Sequence, residues 1–340
     1  MKRCTQCILP ETFPGIQFNK DGVCNRCLSY QKRRDKLESQ KERLRAKFER
    51  IVAECRRDDG YECLMSWSGG KDSTYTLTLL KEQFGLKMLA FTFDNGFASE
   101  TARRNMERVA ENLGVDFIAV KPRFDLLRRI FVASMERDFY PQKALDRASN
   151  ICTSCMGLAK GIALRIAIEK DIPIMAYGWS PGQLPLASAI FKTNPDMIRA
   201  MLQGTVEPLQ TVAGDDVKAY FLTEEHFADP ARFPYNVSPL AFLDYDEERI
   251  FDRIAALGWE RPEDTDPNST NCLLNAFANE VHRRQMGYHP YVLELANLVR
   301  EGHLDREEAL ARLETGENSK VIKMVRDRLG LSGEARQRRS

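Results

Sequence analysis

The chain has 340 residues, with 50 Lys and Arg against 49 Asp and Glu and a formal net charge of +1 at pH 7, so no global field draws it to nucleic acid, although a local basic patch stays open. It lacks a run of about 18 apolar residues, and Met1-Lys2-Arg3-Cys4 leads into a cysteine pair without the apolar core of a signal peptide, which leads us to expect a soluble, cytoplasmic protein with no membrane partner. Cysteines number 9, several of them in C-x-x-C pairs, and in an unexported chain they read as metal ligands before disulfides.

Cys4-x-x-Cys7 and Cys24-x-x-Cys27 come first, joined by a connection containing Pro10, Pro14, Gly15 and Gly22. Two such knuckles fit a tetrahedral zinc ribbon over residues 1–30, and four thiolates would close the coordination sphere and make the metal structural. Over residues 31–60 Lys, Arg, Glu and Gln dominate, while Leu37, Leu44, Phe48, Ile51 and Val52 recur at roughly helical spacing. The pattern predicts a mostly exposed linker helix whose basic side chains are either a solvated face or an RNA contact.

Tyr61-Glu62-Cys63-Leu64-Met65 reads as a strand, and Ser66-Trp67-Ser68-Gly69-Gly70-Lys71-Asp72-Ser73-Thr74 as a glycine turn that opens a helix through Leu80. Such a turn leaves the first helical N–H groups aimed at whatever lies over it, which suits phosphate. Gly69 and Gly70 permit close backbone approach, Ser68, Ser73 and Thr74 offer hydroxyls, and Lys71 offers a point charge. The spacing is not that of a Walker A loop.

Further along, 88–93 reads as a strand ending in Asp94-Asn95-Gly96-Phe97, 99–113 as a helix stopped by Gly114, and 115–120 and 172–177 as two more strands. Short apolar strands alternating with helices predict an α/β fold with a Rossmann-like parallel sheet and flanking helices, spanning 61–272. Ligands in such sheets lie beyond the carboxyl ends of the strands. Asp94 and Asn95 are then placed to meet a nucleoside, and Gly178 to let backbone approach phosphate or substrate; Asp94 as a simple turn cap is an equally open reading.

Cys152 and Cys155 open a helix that continues through Leu158, Ile162 and Ile168, where the helix dipole is expected to lower thiol pKa values, and Cys272 is a lone cysteine far downstream. A second zinc site completed by His226 or His282, or unligated buried thiols, are the alternatives for this set. Residues 184–235 form an insert broken by Pro185, Pro195, Pro208, Pro230 and Pro234, either a pocket wall or a lid. Residues 273–331 read as a helical region, with His282, His289 and His303 as surface or packing residues, and 332–340 as a disordered tail. Cys55 and Cys63 lack partners at ligand spacing and read as small apolar residues.

Ser68-Gly69-Gly70-Lys71-Asp72-Ser73 resembles the PP-loop of the ATP pyrophosphatases, whose HUP-type domain cleaves ATP to AMP and pyrophosphate and places the AMP on a substrate oxygen. With Cys152, Cys155 and the distant Cys272, the chain resembles the [4Fe-4S]-dependent enzymes that make 2-thiouridine and 2-thiocytidine in tRNA. The resemblance implies ATP and Mg2+ at Ser68–Thr74, with Lys71 and Asp72 catalytic and Asp72 ligating magnesium or orienting the substrate. It also implies a cluster held by Cys152, Cys155 and Cys272 with one iron open, and zinc at Cys4, Cys7, Cys24 and Cys27. The family's Gly-His is replaced here by Gly178-Trp179, and no second C-x-x-C pair lies near the C-terminus.

Both ends resemble another group, the N-acetyl sugar amidotransferases of surface-polysaccharide synthesis. The residues are Cys4 to Thr12, Pro14-Gly15-Ile16, Gly22-Val23-Cys24, Ala296 to Gly302 and Asp305 to Ala309. That likeness implies ammonia from a glutaminase partner in place of a sulfur donor. The expectation that follows is an ATP-dependent transferase, with sulfur favoured over nitrogen, a small-molecule or tRNA acceptor, and the homodimer as the default assembly.

Overall fold

The computed structural model describes residues 1–331 apart from Asp138 and Glu317; the expected disordered tail, 332–340, lies outside the described residues. Two helices follow the first knuckles, α1 (Asn25–Gln31) and α2 (Arg34–Glu54). The linker therefore breaks near Lys32, and its mostly exposed helix buries one stripe of Phe48, Ile51 and Val52.

The sheet begins with β1 (Cys63–Ser66), followed by α3 (Lys71–Glu82), β2 (Met88–Phe93), α4 (Glu100–Leu113), β3 (Asp116–Val120) and α5 (Phe124–Glu136). Ser99 caps α4 by accepting from the Ala102 N–H, and Gly114 ends it with φ 62°, the left-handed stop that glycine adopts without penalty. Then come α6 (Gln142–Leu145), α7 (Asn150–Glu169) and β4 (Ile174–Tyr177).

The strand order is β3-β2-β1-β4, continued by two strands of three residues that the sequence pattern does not reveal, β5 (Ile190–Lys192) within the insert and β6 (Tyr235–Val237) at its end. β6 joins β4 in parallel and β5 closes the edge antiparallel. Between β5 and β6 runs α8 (Pro195–Ala213), which continues through Pro208 rather than breaking there.

Alternation along β1 decides which layer each side chain joins. Cys63 and Met65 share a core with Leu77 and Leu80 of α3 and Val109 of α4. Leu64 points the other way, into a core with Leu89, Phe91 and the Ile162–Ile168 stretch of α7. α7 is long and apolar enough to cross a membrane, but it packs on β1, β2, β4, α5, α8 and α10 as the central helix of this face.

From β1 the chain moves to β2 and β3 on one side and returns to β4 on the other, with Cys63 paired in register with both Met88 and Ile174. Such a reversal opens a crevice beyond the carboxyl ends of β1 and β4. The chain ends in α9 (Glu247–Ala255), α10 (Leu274–Met286), α11 (Val292–Glu301), α12 (Arg306–Glu314) and α13 (Ser319–Leu329). The N-terminal knuckles dock on these helices: Thr12 Oγ1 donates to Gly287 O at 3.0 Å, and the Phe13 and Tyr288 rings lie 4.9 Å apart.

Candidate nucleotide loop and cysteine sites

The turn after β1 is tied together by its own hydroxyls. Ser68 Oγ and Ser73 Oγ lie 3.0 Å apart, Ser73 Oγ donates to Gly70 O at 3.0 Å, and Lys71 N–H donates to Thr270 Oγ1 at 3.0 Å. Gly69 sits at φ 79°, a conformation that side-chain-bearing residues rarely adopt. Thr74 differs from the expectation: it is fully buried and its hydroxyl accepts from the Trp67 indole at 3.0 Å, so it braces the turn from inside.

Gly178, at the end of β4, makes room for protein backbone. A Cβ there would stand 2.3 Å from Ser73 Cα and 2.6 Å from Ser73 N. The glycine thereby sets how closely β4 seats against the start of α3.

Lys71 and Asp72 face the crevice as one charge network. Lys71 Nζ lies 2.8 Å from Asp72 Oδ1, 2.8 Å from Tyr245 OH and 3.1 Å from Glu247 Oε1. Burial alone would lower the Lys71 pKa, but Asp72, Tyr245 and Glu247 together push it above its ordinary value. Glu247 is pushed up by burial and down further by Arg312 and Lys71, reaching about 2. Tyr245, Glu247 and Arg312 are site residues that sequence reasoning missed, since only the docking of α9 and α12 brings them to the turn.

Cys272 lies two positions beyond Thr270 and is fixed by backbone pairing beside the end of β2. Ala98 and Cys272 form an antiparallel bridge, and Leu273 N–H donates to Phe97 O at 2.8 Å. Asn95 Nδ2 then reaches both Cys155 Sγ and Cys272 Sγ at 3.4 Å, and Asn275 Nδ2 reaches Cys152 Sγ at 3.9 Å. Asn95 thus faces sulfur, with its Oδ1 taken by the Phe97 N–H at 2.8 Å. Asp94 caps the same turn through the Gly96 N–H at 2.8 Å and pairs with Lys121 at 3.1 Å.

The helix dipole does not lower these thiols. Burial raises Cys152 to about 11 and raises Cys155 and Cys272 as well, and neighbouring cysteines add to the shift in Cys152 and Cys155. Desolvation outweighs a dipole effect typically worth below about 1 kcal/mol. Among the described residues these three sulfurs do not close into a set within 4.8 Å of one another, as the four N-terminal ones do. Three thiols with amide donors directed at their sulfurs are a donor set of the kind an iron–sulfur cluster takes.

Cys4, Cys7, Cys24 and Cys27 form the compact set. All four are buried, and Cys4 to Cys27 and Cys7 to Cys24 are both 3.8 Å between sulfurs. A tetrahedron with metal–sulfur bonds of about 2.3 Å has edges of about 3.8 Å, so the four thiols can hold one metal ion. Hydrogen bonds from Cys27 and Cys7 push the Cys24 thiol far down, while the Cys24 and Cys27 contacts push Cys7 up. The tetrad cannot ionise fully without a cation inside it. Arg300 of α11 donates to Cys27 Sγ at 3.4 Å and Cys7 Sγ at 3.7 Å.

Two further titratable residues are perturbed by their surroundings, and neither belongs to a motif. Lys160 keeps accessible surface, yet burial lowers its ammonium pKa and its Nζ stands 5.2 Å from the centre of the Trp179 ring. Glu294 of α11 accepts from Ser180 Oγ at 2.8 Å and Gln183 Nε2 at 2.9 Å. Burial is the largest influence on it and raises it to about 7. A C-x-x-C helix could have suggested inspecting Lys160, which it carries; no local signal marks Glu294.

No protein-family model matches the chain. A protein of Methanocaldococcus jannaschii described as uncharacterized is 25% identical over 331 residues, covering 97% of this chain and 99% of that protein. Among solved structures, the U34-tRNA thiolase NcsA from Methanococcus maripaludis with its [4Fe-4S] cluster matches at 17% identity and a TM-score of 0.36, over 95% of this chain and 96% of that one.

Proposed function

We propose that the chain is an ATP-dependent transferase that adenylates an acceptor oxygen at the turn after β1 and replaces that oxygen with sulfur at the three-cysteine site. The observation that carries this reading is adjacency: the segment that holds the Lys71 N–H through Thr270 also supplies Cys272, which shares the Asn95 amide with Cys155. In this reading ATP with Mg2+ sits over Ser68, Gly69, Gly70 and Ser73, and Lys71 leaves its carboxylate partners to meet phosphate. Asp72, released by that move, is placed to ligate magnesium. Catalysis of adenylyl transfer is then positioning and charge neutralisation.

A [4Fe-4S] cluster on Cys152, Cys155 and Cys272 would leave one iron free for an exchangeable sulfide. The protein's part is to fix three half-buried thiols and to direct the Asn95 and Asn275 amides at their sulfurs. Zinc in the Cys4 tetrad is structural in this reading, since four thiolates leave no open position. The acceptor is a small molecule or a tRNA.

A second reading is favoured by the stretch 296–309, which resembles the sugar amidotransferases and also carries Asn297, whose Nδ2 donates to Gly182 O at 2.7 Å beside the crevice. There ammonia from a glutaminase partner would replace sulfur. Cys272→Ala separates the readings. Sulfur transfer predicts loss of thiolated product with ATP binding intact, measured by product mass and nucleotide titration; full activity in that variant rejects the sulfur reading.

A further inference from the structure

Asn297 and Arg300 of α11 join two places far apart in the sequence, the four N-terminal cysteines and the loop after β4. Arg300 is half-buried and divides its donors three ways. Its Nε lies 3.4 Å from Cys27 Sγ and its Nη2 3.7 Å from Cys7 Sγ, while Nη1 donates to Asn297 Oδ1. Arg306, at the start of α12, bonds to the main chain of the same knuckles, from Nε to Cys7 O at 3.1 Å and from Nη2 to Cys4 O at 3.2 Å. Guanidinium groups from the C-terminal helices thus hold the knuckles, Arg300 by the sulfurs and Arg306 by the carbonyls.

The bond from Arg300 fixes which way the Asn297 amide faces. An amide carries its acceptor on one side and its donors on the other. With Oδ1 turned to the guanidinium, Nδ2 faces away from it and donates to Gly182 O at 2.7 Å. Turned over, the amide would set donor against donor at Arg300 and oxygen against oxygen at Gly182. Gly182 stands at φ 88°, and a Cβ on it would lie 2.6 Å from Asn297 Cβ, so loop and helix meet with no side chain between them. The same loop starts at Gly178, where a Cβ would be 2.3 Å from Ser73 Cα, and it is closed by the Ser180 N–H donating to Gln183 Oε1 at 2.8 Å. Contacts therefore run without a break from the Cys7 and Cys27 sulfurs through Arg300, Asn297 and residues 178–183 to the turn after β1.

A divalent ion among four thiolates leaves net negative charge on the sulfurs, whereas four protonated thiols carry none. Hydrogen bonds to a charged acceptor are roughly twice as strong as neutral ones, so the ion tightens the hold on Arg300. Emptied of metal, the tetrad no longer anchors the guanidinium that orients Asn297. The far side of the loop is held independently, by Glu294 through Ser180 and Gln183 and by Arg147 Nη1 donating to Gln183 O at 3.0 Å. Metal loss therefore loosens the loop without releasing it.

We propose that the four-cysteine site is a metal-responsive clamp: metal held by Cys4, Cys7, Cys24 and Cys27 fixes Arg300, which orients Asn297 and seats the loop 178–183 against the start of α3. Arg300 and Asn297 are positioning residues that act through Gly182. Metal occupancy and nucleotide affinity are then coupled, and such coupling is reciprocal. The nucleotide end of this chain of contacts rests on the adenylation reading above, whereas the step from metal to loop does not.

The test uses the full chain with zinc as the only added metal. Hydrogen exchange in peptides spanning 178–183 reads the local opening of the loop. It should speed up by about fivefold or more when a chelator removes the zinc, with exchange in β2 unchanged. Asn297→Asp is the deciding variant, since its carboxylate keeps the pairing with Arg300 and lacks the donor to Gly182. It should hold zinc as tightly as the unaltered chain, show fast loop exchange with zinc bound, and change no further on stripping. Calorimetric titration of a non-hydrolysable ATP analogue with Mg2+ should show affinity weaker by about fivefold or more in the stripped chain. Saturation with the analogue should tighten zinc by the same factor, and Asn297→Asp should abolish both effects. The proposal is overturned if loop exchange ignores zinc removal, if the analogue binds equally with and without zinc, or if Asn297→Asp responds to zinc as the unaltered chain does. A loop that responds to zinc in a chain that binds no ATP analogue supports the clamp and rejects the nucleotide reading of the turn instead.

Discussion

Glu247 shows how much of the charge at the turn after β1 is balanced by residues distant in sequence. It pairs with Lys71 and with Arg312, and its pKa of about 2 lies below the unfolded value near about 4.3. A carboxyl lowered on folding adds stability that is fully present above the unfolded value and is lost as pH falls through the folded one. The contribution is on the order of 3 kcal/mol at most. Denaturant unfolding between about pH 5 and about pH 2 should therefore show a slope that Glu247→Gln flattens; an identical slope in the variant would remove Glu247 from the account. The thiols make the complementary point. From sequence the helix dipole at Cys152 suggested a lowered pKa, but burial is a tertiary property and it dominates.

At the scale of elements, the approach of β4 to α3 is the tightest joint near the crevice. Gly178→Ala would place a Cβ 2.3 Å from Ser73 Cα. Relief of that overlap should cost roughly 1–3 kcal/mol of stability and loosen nucleotide binding by displacing the turn. Unchanged nucleotide affinity in a folded variant would show that the joint does not position the turn. The strand-turn-helix unit itself was legible because its signal is local: apolar strand, glycine pair, polar helix start. β5 and β6 were not, because three residues carry no measurable alternation; β6 is set by its pairing with β4 and β5 by its pairing with β6. Glu294 was equally hidden, since its neighbours at Ser180 and Gln183 lie more than a hundred residues away.

α11 joins distant parts in the same way. Arg300 donates to Cys7 and Cys27 sulfurs and to Asn297, which holds Gly182. Hydrogen bonds to coordinating sulfurs commonly change metal affinity by about 10–100-fold when removed. With zinc in the tetrad as proposed, Arg300→Ala should therefore release it to a chelator faster, by a factor in that range, than the unaltered protein does. Equal release rates would mean that the arginine only packs.

Across the whole molecule, the two cysteine sets differ in build, and spacing in the sequence separated them only in part. The N-terminal four are paired C-x-x-C knuckles whose sulfurs stand 3.8 Å apart across the set, a size suited to one ion. The other three come from α7 and from the strand-like segment paired with Ala98; Cys155 and Cys272 meet at Asn95, and Cys152 faces Asn275. That meeting depends on the sheet carrying β2 and α7 to the same end, which no spacing rule encodes.

The most direct measurement is the iron, sulfide and zinc content of protein purified and reconstituted without oxygen, for the unaltered chain and for Cys272→Ala. The account predicts about four irons and four sulfides per chain together with one zinc, and in the variant loss of the iron with the zinc retained. A chain that binds zinc but no iron, or a Cys272→Ala protein that keeps its full iron content, would contradict it.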